Sequence, residues 1–223
     1  MIITCDGPAA SGKSTIGKLV AQRLGIAFLS SGWFYRALAY LLLTHEKYTL
    51  ETLINADESH ISYYLDPIVL KYEYKEAAAT LYFQDENITP YLKDFVIDRG
   101  SILLSPRKFA RDKIMHLQRV FASHSSCVVE GRDCGSVVFP DADYKFYITA
   151  SLEIRSARWN EDQKKRGTIF TPQEAEKQLY DRDERDKKRE YGALIIPEGA
   201  VLIDTSNLAL EESVELIVSY IKE

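Results

Sequence analysis

The chain opens on an apolar run, MIITC, that breaks into glycine and small polar residues. From Lys13 to Leu24 the apolar positions Ile16, Leu19, Val20 and Leu24 recur at helical spacing, and Gly25 closes the segment. IAFL at 26–29 reads as a second strand, and WFYRALAYLLL as a largely buried helix. Between about 61 and 88 the texture changes. ISYYL, IVLKYEY and TLYFQ are β-branched and aromatic with partial alternation, which predicts a small antiparallel sheet. It reads as an insert, because strand–helix alternation resumes after it. Ser105-Pro106 is expected to start the next helix, with proline tolerated at the first helical position. Ala110, Ile114, Leu117 and Phe121 form its apolar stripe, and Arg107, Arg111 and Gln118 line the adjacent face. CVVE, YKFYIT and AVLID are continuous apolar runs, the pattern of parallel strands buried on both sides. Leu210, Val214, Ile217 and Ile221 mark a C-terminal amphipathic helix. The pattern predicts an α/β fold: a parallel sheet of about five strands with helices on both faces, plus the antiparallel β insert.

A length of 223 residues allows one such domain, with or without an insert, and a composition of 46% hydrophobic and 27% charged residues is ordinary for a globular chain. The net charge of −5 gives no electrostatic case for nucleic acid as a partner. Basic residues cluster instead between Arg155 and Arg189, which suits a small anionic ligand. Cys5, Cys127 and Cys134 contain no CxxC pair; Cys5 and Cys127 lie in apolar runs and read as buried thiols. The four histidines show no metal-ligand spacing with them. No targeting pattern opens the chain and no apolar run is long enough to span a membrane, so a cytoplasmic location is expected.

The segment DRDERDKKRE, Asp181 to Glu190, is charged throughout. Asp181 precedes Arg185, Asp183 precedes Lys187 and Glu184 precedes Lys188 by four residues each, the favourable order for helical ion pairs. A solvated, salt-bridged helix accounts for that much. Arg182, Arg185, Asp186 and Arg189 also fall on one face, where the guanidinium groups repel one another unless an anion lies between them.

An anion is supplied by GPAASGKS, Gly7 to Ser14, which matches G-x-x-x-x-G-K-[ST] between a strand and a helix. In that context Gly7, Pro8, Ala9, Ala10, Ser11, Gly12, Lys13 and Ser14 form a nucleotide phosphate site. Backbone N–H groups turn inward around phosphate oxygens, Lys13 reaches the β- and γ-phosphates, and the Ser14 hydroxyl can hold Mg²⁺. Neither the N-K-x-D nor the D-x-x-G motif of a GTPase occurs. A short chain with scattered arginines points to a kinase of a small phosphate-bearing acceptor, since phosphoryl transfer needs positioning and charge neutralisation above all.

Further segments are SSGWFYRALA at 30–39, the Arg111 to Gln118 spacing, EGRDCGSVVFPDA at 130–142 and the charged run. With the phosphate loop and the antiparallel insert, they resemble the bacterial cytidylate kinases over nearly the whole chain. The resemblance implies an ATP-dependent (d)CMP kinase of pyrimidine metabolism, using Mg²⁺ and working as a monomer. It implies that Gly12, Lys13, Ser14 and Thr15 bind ATP phosphates and metal, and that Arg36 and Arg132 hold the acceptor phosphate. Ser31, Arg111, Asp133 and Arg189 would surround cytosine. Ser101, Arg182 and Asp186 would lie near the sugar, and Arg182 and Arg185 would close over the transferring group. The implied division is a core at about 1–36, 102–156 and 186–223, an acceptor-binding insert at about 37–101 and a lid at about 157–185, with Gln163 to Gly167 as its mobile turn. Two positions depart from the family pattern: Ser30 and Glu130 stand where it usually has aspartates. The rival readings are a kinase for UMP or AMP and a P-loop regulatory module without turnover. Without Arg132 and Gly135 beside it, Asp133 would read as a turn cap; a helix-surface residue is the alternative reading of Arg36, and Arg107 and Lys108 read as surface charges and not as ligands.

Overall fold

The structure is a computed structural model that describes residues 1–165 and 167–222. Its strands are β1 (Ile2–Asp6), β2 (Ala27–Ser30), β3 (Leu70–Lys75), β4 (Ala78–Phe83), β5 (Glu86–Asn87), β6 (Cys127–Gly131), β7 (Tyr144–Thr149) and β8 (Val201–Asp204). The helices are α1 (Lys13–Leu24), α2 (Ser31–His45), α3 (Glu58–Tyr64), α4 (Phe95–Leu104), α5 (Lys108–His124), α6 (Leu152–Lys165), α7 (Pro172–Lys187) and α8 (Leu210–Lys222). A five-stranded sheet has the order β2-β6-β1-β7-β8. Parallel pairing sets Ile3 opposite Tyr144 and Asp6 opposite Tyr147, and Phe146 opposite Val201. Every residue of β6 is buried, which is why its sequence is a continuous apolar run without alternation.

Contacts group the described chain into two compact units, residues 1–25 with 128–223 and residues 26–127. In the first, α8 packs on α1 and buries Val214, Ile217 and Val218. Leu210, expected on that apolar face, is 45% exposed, because it occupies the first turn of the helix. Helices α6 and α7 pack as a pair. A capping box starts α7: the Thr171 hydroxyl accepts from the Glu174 N–H, the Glu174 carboxylate accepts from the Thr171 N–H, and Pro172 takes the first position. The expected lid turn is anchored better than its cations suggest. Gln163 is buried and the Trp159 and Phe170 rings meet at 5.0 Å. Arg166 of that turn lies outside the described residues.

The second unit contains the antiparallel sheet, with β3 paired to β4 from Leu70↔Phe83 to Lys75↔Ala78 and β5 beyond β4. ISYYL does not join it. Its first four residues fall in α3 and Leu65 follows as the C-cap; the start of the helix is capped by Asp57 accepting from the Ser59 N–H. Ile61 and Tyr64, one turn apart, face inward, so cap and burial override the β-propensity of the aromatic residues. Helix α4, unanticipated in the sequence, is capped by Asp94 accepting from the Val96 N–H. It packs on α2 around Gly100, where a Cβ would lie 3.0 Å from Ala39 Cβ. Ser105 ends α4, and α5 begins at Lys108 instead of at Ser105-Pro106. Pro106 lies in the short link, where its missing N–H breaks no helical bond. Arg107 is no free surface charge: its guanidinium donates to the Ala56 carbonyl.

Cys5, Cys127 and Cys134 are all fully buried free thiols. Burial pushes the Cys127 thiol up to about 12 and raises those of Cys5 and Cys134 as well.

Candidate active site

Strand β1 ends in the buried Asp6 and delivers the loop Gly7 to Gly12 to the start of α1. Gly7 has φ +154°, and a Cβ there would lie 2.0 Å from the Ile148 carbonyl oxygen, so only hydrogen fits. Ala10 (φ 57°) and Gly12 (φ 88°) are left-handed. Such alternation turns successive N–H groups inward as an anion nest. For Ala10, which has a Cβ, the conformation costs about 1–2 kcal/mol. The Ser11 Oγ is buried with no hydrogen-bond partner among the described residues, an unmet polar atom inside this loop. Lys13 is 5% exposed and its Nζ donates to the Pro8 carbonyl at 3.1 Å. Burial, followed by the positive charge of Arg132, drives its pKa from 10.5 to about 7; Arg182 adds to the fall while Glu130 and Asp186 oppose it. Ser14 and Thr15 are exposed in the first turn of α1, at the positive end of the helix dipole.

One of the arginines that act on this lysine shares a carboxylate with Arg189. Arg132, just after β6, donates from Nε to Asp186 Oδ2 at 2.8 Å, and Arg189 pairs with Asp186 Oδ1. Burial pushes the Asp186 carboxyl up, but Arg132, Arg189 and Arg182 outweigh it and hold the group below the usual carboxylate range. Helix α7 ends at Lys187, so Arg189 lies beyond it and reaches back. Arg185 stands apart, exposed, with Nε on the Asp181 carbonyl at 3.1 Å. Of the expected ion pairs in the charged run, Glu184–Lys188 forms at 3.2 Å. Asp183 does not pair with Lys187: it is buried and takes Arg155 at 2.5 Å.

Asp133 is buried, and its carbonyl accepts from the Val137 N–H at 2.9 Å and the Val138 N–H at 3.1 Å, opening the wide turn Cys134–Val138. Asp6 fixes that turn to β1. Its Oδ1 accepts from the Cys134 N–H at 2.8 Å and its Oδ2 from the Gly135 N–H at 2.7 Å. Burial outweighs these bonds and raises Asp6 to about 6. Glu130, one of the departures from the family pattern, is buried at the end of β6, and the other, Ser30, at the end of β2.

Arg158 and the pairing of Arg155 with Asp183 were not expected from the sequence. The basic cluster between Arg155 and Arg189 was visible, but the partners are distant in sequence. Arg158 donates to Thr205 Oγ1 at 3.1 Å and to the Thr205 carbonyl at 2.9 Å. A cavity of about 240 Å³ opens beside Gly12, lined also by Thr15, Arg158, Thr205 and Leu208.

The second unit gathers its expected site residues around α2. Ser31 starts the helix. Arg36 pairs with Asp98 at 2.6 Å, and the buried Ser101 donates to the Asp98 carbonyl at 2.7 Å. Arg111, also buried, donates to the Ser105 carbonyl at 2.9 Å, and its guanidinium lies 5.8 Å from the Tyr35 ring centre. Asp98 was not singled out in the sequence because it sits on the unanticipated α4.

A model of the family described as cytidylate kinase matches residues 3–223. The chain belongs to the cytidylate kinase family. Among curated cytidylate kinases, that of Thermotoga maritima is 37% identical, covering 99% of this chain and 96% of its own length. That of Halalkalibacterium halodurans is 32% identical over 100% and 98%. Solved structures agree on fold alone. An uncharacterized protein from Eubacterium ventriosum aligns with TM-score 0.54 at 14% identity, covering 100% and 98% of the two chains. Shikimate kinase from Bacteroides thetaiotaomicron aligns with TM-score 0.50 at 11% identity, over 100% and 99%. As a cytidylate kinase the chain is a phosphotransferase and a nucleotide-binding enzyme, and ATP is the donor that kinase membership implies. Among the described residues no three His, Cys, Asp or Glu side chains converge to cage a metal ion.

Proposed function

We propose that this enzyme transfers the γ-phosphoryl group of ATP to CMP, and to dCMP, giving ADP and the cytidine diphosphate. The observation that carries the reading is the crowding of positive charge at the loop: Lys13 is buried beside Arg132 and Arg182 and loses much of its affinity for a proton. A polyphosphate in the nest relieves that repulsion. Lys13 then leaves the Pro8 carbonyl for the β- and γ-oxygens. Arg132 serves the acceptor phosphate and Arg182 the transferring group, with Arg185 joining from its exposed position. Asp186 keeps Arg132 and Arg189 oriented. The acceptor oxygen is already anionic, so no general base is needed, and catalysis is alignment with charge neutralisation. The cavity beside Gly12, with the flat Arg158 guanidinium on its wall, has the volume for the donor base.

The exposed Ser14 hydroxyl beside the loop is a hard oxygen donor of the kind Mg²⁺ accepts and would hold the ion. Mg²⁺ would supply neutralisation of the triphosphate charge. To CMP we assign Ser31, Arg36, Ser101, Arg111, Arg132, Asp133, Arg182, Asp186 and Arg189. No described helix is long and apolar enough to cross a membrane. A cytoplasmic monomer is part of the proposal. Residues 157–185 act as the lid. Coupled ADP-release assays with CMP, dCMP, UMP and AMP test the function. CMP and dCMP should lead by kcat/KM; a lead for UMP or AMP reassigns the acceptor, and no turnover with any of them refutes the kinase reading.

A further inference from the structure

Asp183 and Arg155 lie outside the residues assigned to ATP or CMP, yet both are buried and both bind the phosphate loop. Asp183 Oδ1 accepts from the Ala9 N–H at 3.1 Å and Oδ2 from Arg155 at 2.5 Å. Arg155 also donates to the Ala9 carbonyl at 3.1 Å and to the Ala150 carbonyl at 2.9 Å. Two successive peptide groups of the loop are thus gripped. The Pro8–Ala9 peptide has its N–H on Asp183 and its carbonyl on the Lys13 ammonium. The Ala9–Ala10 peptide has its carbonyl on Arg155, next to the φ axis of the left-handed Ala10. The neighbour of Asp183 in α7 is Arg182, whose charge reaches Lys13.

We propose that Asp183 and Arg155 are positioning residues for phosphoryl transfer, a clamp that holds the phosphate loop in its anion-binding shape and fixes the helix bearing Arg182 against it. The inference rests on the kinase reading given above. The clamp touches neither substrate. It acts by keeping the Lys13 and Arg182 charges in register with the nest, where a displacement of the order of 1 Å can lower a rate by roughly 100-fold. Because the Ala9 N–H is occupied by Asp183, the phosphate-facing donors are those that follow it in the loop. The buried acid in an otherwise solvated charged run thereby has a specific task.

The test uses the full chain with Asp183→Ala, Asp183→Asn and Arg155→Lys. Asparagine keeps an acceptor for the Ala9 N–H; alanine keeps none. Lysine cannot span the carbonyls of Ala9 and Ala150 together with Asp183. Each variant is assayed well below its melting temperature, with kcat referred to folded protein measured by circular dichroism. Asp183→Ala should lower kcat by roughly 100-fold while KM for either nucleotide moves less than about fivefold. Asp183→Asn should recover at least about tenfold of that loss, and Arg155→Lys should lose about tenfold in kcat. A purely structural ion pair would lower the melting temperature of all three and leave kcat per folded molecule near wild type, which overturns the clamp. Should Asp183→Ala not fold, Arg155→Lys decides: kcat within about twofold of wild type overturns the proposal. Wild-type turnover with CMP is measured first. Its absence sinks the CMP kinase reading, whereas normal turnover in wild type and variants alike sinks the clamp alone.

Discussion

Nucleotide binding at the loop should carry a proton with it. Without a ligand, Lys13 has a pKa of about 7 because burial and the charges of Arg132 and Arg182 disfavour the ammonium. The drop from 10.5 to about 7 corresponds to roughly 5 kcal/mol against the charged form. At pH 8 a group with a pKa of about 7 is roughly 90% neutral, and at pH 6 roughly 10%. Phosphate oxygens against Nζ add negative charge to that of Glu130 and Asp186 and restore the ammonium. Binding of ATP at pH 8 should therefore take up about 0.9 proton per site, falling to about 0.1 at pH 6. Isothermal titration in buffers of different ionisation enthalpy reads the number directly as the slope of observed heat. The same titration with Lys13→Met supplies the background from the nucleotide's own phosphates. The folding linkage has a matching sign. The depressed pKa penalises the folded state fully below pH 7, and the penalty fades as pH rises from about 7 towards 10.5. Uptake near zero at pH 8, or uptake that survives unchanged in Lys13→Met, would refute the account of Lys13 as a neutralised lysine awaiting an anion.

Asp133→Asn should narrow the preference for CMP over UMP in kcat/KM by about tenfold, because a carboxylate accepts from the cytosine amino group and repels the uracil carbonyl; equal losses for both substrates would show that Asp133 only orders the turn. Asp6, raised from 3.8 to about 6, favours folding below about pH 4, a contribution lost as pH rises through 6. Urea unfolding should show wild type gaining roughly 2–3 kcal/mol on Asp6→Asn between pH 7 and pH 4, and a flat difference would contradict the raised pKa. Gly7→Ala places a Cβ 2.0 Å from the Ile148 carbonyl oxygen, on a strand that cannot yield, and should abolish measurable ATP binding in calorimetry. Gly135→Ala meets Thr4 Oγ1 at 2.7 Å and should lower stability by about 1–3 kcal/mol in thermal melts, a smaller effect because a side chain can turn.

What could be read from the sequence was whatever depends on near neighbours. The phosphate loop is specified by a contiguous motif, and the parallel strands by continuous apolar runs such as CVVE. Segments where two local signals compete were misread. ISYYL has strand-forming residues, but Asp57 caps a helix there and burial of Ile61 with Tyr64 at helical spacing decides the outcome. Helix α4 was hidden because its cap, Asp94, follows a stretch with no clear period, and Asp98 was lost with it. The charged run was legible as a helix but not in its pairing. Nothing within four residues of Asp183 signals that it will turn inward to Arg155, since that choice is made by a loop 174 residues away.

The three enclosed thiols give the protein a built-in clock for its own opening. With burial holding Cys5, Cys127 and Cys134 protonated far above neutral pH, an alkylating reagent at pH 7.5 finds no thiolate in the folded chain. Modification must wait for a fluctuation that admits water, so the labelling rate under fast reclosing reports the population of the open form. Cys5 and Cys134 belong to one compact unit and Cys127 to the other, which makes the clock two-handed. Equal rates at all three sites mean that both units open in one cooperative event; a faster Cys127 means that its unit opens alone. Adding ATP should slow Cys5 and Cys134 in proportion to its occupancy of the loop, and so weigh ligand binding without any enzymatic turnover.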